Sequence, residues 1–201
     1  MIKIEDMLSV DNDGNILPPN LHQILNKKVE ELYLRDKDPK KTKYKQEAGF
    51  IYYIADLKSP CNQQGLNYIE ARQKAIDNFG LPNNYEPDNL VLSIIDEYKN
   101  NIKASGKAVL ALTRSFHNIT LAADKINELL TISLNASITL EEINTITNAM
   151  ETLDKQISRL PALSKALNDA YEKFIQDEEI EEARGGVKIT KSMNADDYIN
   201  K

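Results

Sequence analysis

The chain has 201 residues, of which 41% are hydrophobic, with one cysteine and a formal net charge of −6. A lone cysteine excludes an internal disulfide and fits assembly in a reducing compartment, and the negative charge argues against general nucleic-acid binding. No apolar run approaches the ~20 residues that a membrane span requires, and the amino terminus lacks a signal pattern. We therefore expect a protein that is made in the cytoplasm and has no membrane partner.

Residues 1–17 are predicted to form an extended N-terminal arm with a turn. The turn is indicated by the run from Asp11 to Asn15, because Asp-Gly and Asn are preferred turn residues. The same run resembles a calcium loop, but Asn20 stands where the bidentate Glu of such a loop belongs. We therefore interpret the run as a turn.

Residues 18–85 carry three helical patterns and are predicted to form a small helical head. The first pattern opens after two prolines and ends near Leu34. The second runs from about Pro39 to Leu57, and the third from about Asn67 to Phe79. The first pattern consists of Leu21, Ile24, Leu25, Val29, Leu32 and Tyr33. The second places Tyr44, Ala48, Ile51, Tyr52 and Ala55 on one side of a helix, and the third places Tyr68, Ala71, Ala75 and Ile76 inward.

Residues 86–182 are predicted to form a long antiparallel helical hairpin. Apolar residues recur at alternating steps of four and three, which is the a and d spacing of a coiled coil. Asn135 to Thr139 interrupts this pattern, and Thr139 with Glu142 matches the capping box that opens a helix. We therefore predict an all-α, elongated molecule. The predicted hairpin seam includes Ile102, Val109, Leu112 and Phe116 in the first arm and Leu153, Ile157 and Leu160 in the second.

Two residues disturb the hairpin pattern. Gly106 costs about 1 kcal/mol in a helix relative to Ala, and Pro161 removes a backbone donor and is expected to kink the second arm. Antiparallel pairing is expected to bring Ser105 and Gly106 opposite residues 161–164. We interpret the coincidence as a shared bend, with a tolerated helix defect as the alternative.

Residues 183–201 are predicted to form a C-terminal tail. Gly185-Gly186 ends the helix, and apolar and polar residues then alternate from Val187 to Thr190. Such a segment has no core of its own, so it is either disordered or laid on a partner as a strand. We predict that the two terminal arms are assembly elements, with apolar contacts at Ile4, Leu8, Val187, Ile189 and Tyr198.

The sequence lacks the motifs of catalysis and cofactor binding. Residues 104–107 are similar to a phosphate-binding loop, but the loop's first glycine and the Ser or Thr after its lysine are missing. His22 and His117 have no His, Cys or carboxylate at ligand spacing. We expect no enzyme, no metal site and no cofactor.

Lysines are concentrated in the N-terminal helices, whereas carboxylates accumulate at the end of the second hairpin arm. One interpretation is a charge contact between neighbouring copies, or with phosphate in a channel. The alternative is a solvated surface with little energetic effect. The candidates for the charge contact are Lys40, Lys41, Lys43 and Lys45.

Four short segments resemble structural proteins of large tailed bacteriophages, including the crAss-like phages of gut bacteria. In those proteins a helix that ends in Asp-x-x-Ser-Pro is followed by an Asn/Gly-rich turn and a Glu-x-Arg helix. The four segments here are Leu34-Arg35-Asp36, Lys45-Gln46-Glu47, Ile51-Tyr52-Tyr53-Ile54-Ala55-Asp56-Leu57-Lys58-Ser59-Pro60 and Glu70-Ala71-Arg72.

The resemblance implies a structural virion protein of the head–tail neck, where rings of helical proteins join the portal to the tail and let DNA pass. The implied partners are copies of the same chain in a ring and other neck proteins such as portal or tail proteins, with only non-specific proximity to DNA. Long helices, terminal arms and complementary charges fit a ring subunit. The alternative is a cytoplasmic coiled-coil adaptor, or a chaperone-like scaffold that grips a client between helices.

Overall fold

The computed structural model describes residues 7–11, 13–134 and 139–185. These residues are mostly helical, and their β structure is limited to one two-stranded sheet, which confirms the predicted all-α class. The elongated hairpin with extended arms stays a prediction. The elements in chain order are β1 (Ser9–Val10), β2 (Ile16–Leu17), α1 (Leu21–Ile24), α2 (Lys27–Leu34), α3 (Thr42–Ala55), α4 (Pro60–Gln63), α5 (Tyr68–Phe79), α6 (Asn89–Asn101), α7 (Ala104–Leu134), α8 (Leu140–Ile157) and α9 (Leu160–Gly185).

The described residues divide into two units. Unit 1 takes residues up to 63, residues 67–103 and those from 181 onward, and unit 2 takes residues 64–66 and 104–180. Unit 1 therefore combines the helices of the predicted head with α6, which we expected to begin the hairpin.

Helix α3 forms the centre of unit 1, where it packs against α4, α5, α6 and β2. Nine of its fourteen residues are buried, so neighbouring elements cover this helix on most sides. Edge-to-face aromatic contacts contribute, with ring centroids of Tyr33 and Tyr44 5.0 Å apart and those of Phe50 and Tyr85 5.1 Å apart. Every residue that was predicted to share one side of this helix is buried, namely Tyr44, Ala48, Ile51, Tyr52 and Ala55.

Gly49 allows α5 to approach α3 closely. A Cβ added at this residue would lie 2.4 Å from the ring of Phe79, which is closer than side chains pack. The same ring makes an edge-to-face contact with Tyr53, with centroids 5.0 Å apart. The missing side chain of Gly49 is therefore a packing requirement, although glycine is a poor helix former.

The first predicted helix is two helices, α1 and α2. Asn26 separates them because its side chain accepts a hydrogen bond from the amide of Lys28 and so caps the start of α2. The predicted inward placement of Tyr68 is wrong, since this residue is 50% exposed; Leu21 and Leu25 of the first pattern are 41% and 59% exposed. Those of the predicted residues that are buried in α2 and α5 are Val29, Leu32, Tyr33, Ala71, Ala75 and Ile76.

The N-terminal segment contains the predicted turn, between β1 and β2. The carboxylate of Asp11 accepts hydrogen bonds from the side-chain amide of Asn15 and from the backbone amides of Asn15 and Asp13, which hold the turn and lower the pKa of Asp11. Leu8, which we expected to need a partner, is only 4% exposed. The chain itself covers Leu8, because this residue directly precedes a strand that pairs within unit 1. Ile4 lies outside the described residues.

Helix α6 is separate from the long helices, so the prediction of an unbroken first arm from Pro87 is wrong. Asp88 caps the start of α6 by accepting from the amide of Val91, and the backbone is extended at Ile102. The apolar spacing continues across this break, which is why periodicity alone did not reveal it. Residues of α6 that are buried in unit 1, where the helix packs against α2 and α3, are Val91, Ile94, Ile95 and Tyr98.

Unit 2 is built from α7, α8 and most of α9, and α7 packs against α8. The predicted capping box is confirmed, since Thr139 and Glu142 exchange hydrogen bonds at the start of α8. Helix α8 ends at Ile157, whose carbonyl would accept from residue 161 in a continuous helix; Pro161 has no amide hydrogen to donate. The predicted disturbance at Pro161 is therefore a break. Although α7 has 31 residues, none of the described helices is both long and apolar enough to cross a membrane.

The predicted bend at Gly106 is wrong, because α7 runs through this residue without interruption. The expected pairing of Ser105 with residues 161–164 is also wrong. The hydroxyl of Ser105 donates a hydrogen bond of 2.6 Å to the carboxylate of Asp177 in α9. The break between α8 and α9 changes which residues of the second arm face the start of α7, and the sequence pattern did not include that break.

Replacing Gly49 with Ala is expected to destabilise unit 1 by about 1 to 3 kcal/mol, because the added methyl group overpacks the ring of Phe79. Helix propensity alone would change stability by about 1 kcal/mol in the opposite direction. Chemical denaturation followed by circular dichroism measures the difference.

The matched control is the same change in a Phe79→Leu background. There the smaller side chain leaves room for the methyl group, so Gly49→Ala should cost much less, as a double-mutant cycle would show. An equal cost in both backgrounds would contradict the proposed clash.

Candidate functional site

The longest segment of the phage resemblance forms a buried turn at the end of α3. The carbonyl of Asp56 accepts from the amide of Ser59 and from the side chain of Asn62, and the Asp56 carboxylate accepts from the amide of Lys58. The Ser59 hydroxyl donates to the carbonyl of Tyr53 and accepts from the amide of Asn62. The Asp-x-x-Ser-Pro motif therefore satisfies the backbone groups of a tight turn that would otherwise be buried unpaired.

Tyr98 connects this turn to α6. Its hydroxyl donates a hydrogen bond of 2.6 Å to the Asp56 carboxylate, and both residues are buried. Hydrogen bonds to charged groups contribute about 1.5 to 3 kcal/mol, more than neutral ones. Burial, together with the charge of Asp56, raises the pKa of the neighbouring Tyr52. The turn is thus tied to two helices by polar contacts inside the core.

The other three segments of the resemblance also have structural roles. Arg35 bridges Glu47 at 2.5 Å and Asp88 at 2.6 Å, so it ties α3 to the start of α6. Glu70 completes the capping box of α5 with Asn67. Arg72 donates a hydrogen bond of 2.6 Å to the carbonyl of Tyr85, and so fixes the loop that follows α5.

The start of α3 is held by Asp36, whose carboxylate accepts from the amides of Tyr44 and Asp38. Burial raises the pKa of Asp36, but these two backbone hydrogen bonds outweigh it, and the pKa falls below the ordinary value of 3.8. The pKa of Asp88 is lowered in the same way, since the amide of Val91 and the guanidinium of Arg35 outweigh the effect of burial.

The chain has one cysteine, Cys61. Cys61 is completely buried, and burial raises its pKa, which favours the unreactive thiol. Within residues 7–11, 13–134 and 139–185, no three or more His, Cys, Asp or Glu side chains are placed to hold a metal ion.

The candidate lysines are not equivalent. Lys41 has a left-handed backbone with φ of 53°, and its ammonium group donates to the carbonyls of Tyr33 and Asp36 and lies 4.3 Å from the centre of the Tyr33 ring. These contacts of Lys41 are all made within its own chain, whereas we predicted that Lys41 contacts a neighbouring molecule. Lys43 lies 3.8 Å from Glu47 but its side chain is 62% exposed. Lys40 and Lys45 are exposed, so an intermolecular contact of these three lysines stays a prediction.

The predicted hairpin seam is covered unequally. Val109 is buried at 5% exposure, whereas Ile157 is 45% exposed. Ile102 lies in the break after α6 and outside unit 2, so it is not part of this seam. The remaining predicted seam residues are half-buried, namely Leu112, Phe116, Leu153 and Leu160. Val187, Ile189 and Tyr198 lie outside the described residues.

A groove runs along the side of the α7–α8 pair and has a volume of about 800 Å³. Its walls include Ile119 and Ile126 from α7 and Leu153 from α8, between which small residues such as Ala122 and Ala149 form the floor. A water molecule takes about 30 Å³ of liquid volume, so the groove is of a size to receive side chains. The apolar spacing of the sequence did not predict this groove. The signal for it was the row of small residues beside the apolar seam.

Comparison with known proteins gives no relative from which a function can be transferred. No protein-family model matches the chain, and neither a curated protein nor a solved structure has significant similarity to it. The geometry of the chain itself therefore carries the functional argument.

Tyr98→Phe is expected to lower the free energy of unfolding by about 1.5 to 3 kcal/mol, because it removes the hydroxyl that donates to a buried carboxylate. Urea denaturation measures the change. The control is Tyr53→Phe, whose hydroxyl accepts from the Asn78 side chain at an exposed position. Equal effects of the two substitutions would contradict a special role for the Asp56 contact.

Stability should fall in acid through Asp36. Because its pKa is lowered in the folded state, its contribution is complete above the unfolded pKa of about 4 and is lost as the pH falls through the folded value. Asp36→Asn should therefore flatten the decline in unfolding free energy between about pH 5 and pH 2. The exposed Asp96→Asn controls for the loss of one charge, and an unchanged slope in Asp36→Asn would contradict the assignment.

Proposed function

We propose that this chain is a structural virion protein of a tailed bacteriophage, and that it is a subunit of a ring in the head–tail neck that joins the portal to the tail and lets DNA pass. One observation carries the proposal. Among the described side chains of α7, α8 and α9, Val109 is the only large apolar one that is buried. Helices of this length with so little buried apolar surface need surfaces from other molecules.

The contrast with unit 1 supports this interpretation. Unit 1 has a closed core around α3, so it does not need a partner in order to fold. The long helices instead leave large apolar side chains at 38% to 59% exposure, and exposed apolar surface of this kind is typical of interaction sites. Those residues are Leu129, Ile132, Ile143, Met150, Ile157, Tyr171, Ile175 and Ile180.

The roles of the resembling segments also support a structural protein. Asp56, Ser59, Arg35, Glu47 and Arg72 each make internal hydrogen bonds or ion pairs. Such residues preserve a shape, which is what a subunit at a fixed place in a particle requires.

The net charge of −6 is compatible with a channel through which DNA moves. Each phosphate that a protein neutralises strengthens binding to DNA, so a strongly basic lining would retain the molecule in passage. A subunit that is acidic overall and has a few exposed lysines permits proximity without tight binding.

Mass photometry of the purified full chain tests the proposal, with electron microscopy of the same sample. We expect a closed oligomer of high copy number with a central opening. A monomer or dimer at every concentration would contradict the ring and favour the adaptor or scaffold, in which the groove along α7 and α8 grips a client helix.

A further inference from the structure

Helix α8 carries an apolar stripe on one side. Ile143, Met150 and Ile157 follow one another at intervals of seven residues and are 45%, 47% and 45% exposed. Residues seven positions apart lie on the same face of a helix, and this spacing is typical of the contact face of a coiled coil. The α8 stripe, as we name these three residues, is therefore a raised apolar ridge that unit 2 leaves half uncovered.

The groove lies on a different side of the same helix, centred about 125° from the stripe at 3.6 residues per turn, with Leu153 at its near edge about 60° from Met150. Thr152, which lines the groove, is about 160° from Met150 around the helix axis at 3.6 residues per turn. Ser115, Ala122 and Ala149 also line the groove and are small, so a neighbouring helix can approach closely. The α7–α8 pair thus presents large side chains on one side and a recess on another.

We propose that the α8 stripe of each copy inserts into the α7–α8 groove of the next copy. This inference rests on the proposed ring and names the contact that builds it. A contact between two different surfaces of one chain is heterologous; its repetition closes a ring when the rotation between neighbouring copies divides a full turn, and otherwise gives an open filament. Because the two surfaces consist of different residues on different sides of the pair, every copy can use both at once.

Charge favours a second copy of this chain as the occupant. Asp154 is four residues after Met150, so it flanks the stripe on the same side of α8. Arg159 lines the groove. When the stripe of one copy enters the groove of the next, the carboxylate of Asp154 approaches the guanidinium of Arg159, and the opposite charges attract. An occupant with a positive charge at this position would be repelled.

Cysteine cross-linking tests the contact. Two differently tagged full-length chains, one with Met150→Cys and one with Thr152→Cys, are co-expressed, oxidised and purified through both tags. A disulfide needs Cα atoms about 4.4 to 6.8 Å apart, so the mixed dimer should be roughly tenfold more abundant than the dimer of either variant expressed alone. The unmodified chain is the blank, because its one cysteine is completely buried.

The other outcomes overturn the proposal in distinguishable ways. A disulfide dimer of the Met150→Cys chain alone would mean that the stripe meets its own copy across a two-fold axis. A closed oligomer without any mixed disulfide would leave the ring intact and place its contact elsewhere. A chain that stays monomeric would remove the ring and this contact together.

A second variant separates assembly from folding. Met150→Glu places a charge on the exposed stripe, and should reduce the oligomer at least tenfold while the helical circular dichroism stays unchanged. Thr120→Glu adds the same charge to an exposed position of α7, about 160° around that helix from the groove residue Ala122 and outside the residues of both surfaces, and should leave the oligomer intact. Equal effects of the two substitutions would overturn the assignment of the stripe.

Discussion

Burial of apolar helix surface stabilises a fold, and the two units of this chain differ in how much of that surface they bury. In unit 1, α3 is surrounded by α4, α5, α6 and β2, so its apolar side chains find partners within the chain. Burial of this apolar surface stabilises the fold of unit 1. In unit 2, α8 covers only one side of α7, and large side chains remain half exposed. The ring proposal follows from this difference.

Buried polar groups inside unit 1 fix the position of α6 relative to α3. The turn at Asp56 would bury several backbone groups, and each unpaired one would cost about 1 to 3 kcal/mol. Asp56, Ser59 and Asn62 satisfy these groups, and Tyr98 adds a contact that only one placement of α6 can make. Because apolar contacts tolerate small shifts and hydrogen bonds do not, these residues fix how α3 and α6 meet. This is a physical reason for the Asp-x-x-Ser-Pro segment, which acts here through internal hydrogen bonds.

The spacing of apolar residues and the capping residues predicted several helices and caps. Neither signal predicts contacts between segments that are distant in the sequence. Helices α3 and α5 and the cap at Thr139 follow from spacing and capping residues that act within a few positions. The break at Ile102 was not predictable from periodicity, because the apolar spacing of α6 continues into α7. The inward ammonium of Lys41 depends on a left-handed backbone that a sequence pattern does not reveal. The groove was missed for the same reason, since it exists only once small residues of two helices lie side by side.

The partial burial of the α8 stripe also suits the proposed ring subunit, which exists as a separate molecule before assembly. A stripe of three residues at 45% to 47% exposure offers a modest contact, so a pair of copies held by one such contact dissociates readily. In a closed ring the last copy makes two contacts at once, and the second forms at the high effective concentration set by the first. Assembly through weak heterologous contacts is therefore cooperative, with few stable partial rings. A stronger stripe would stabilise open fragments as well, and these would compete with closure.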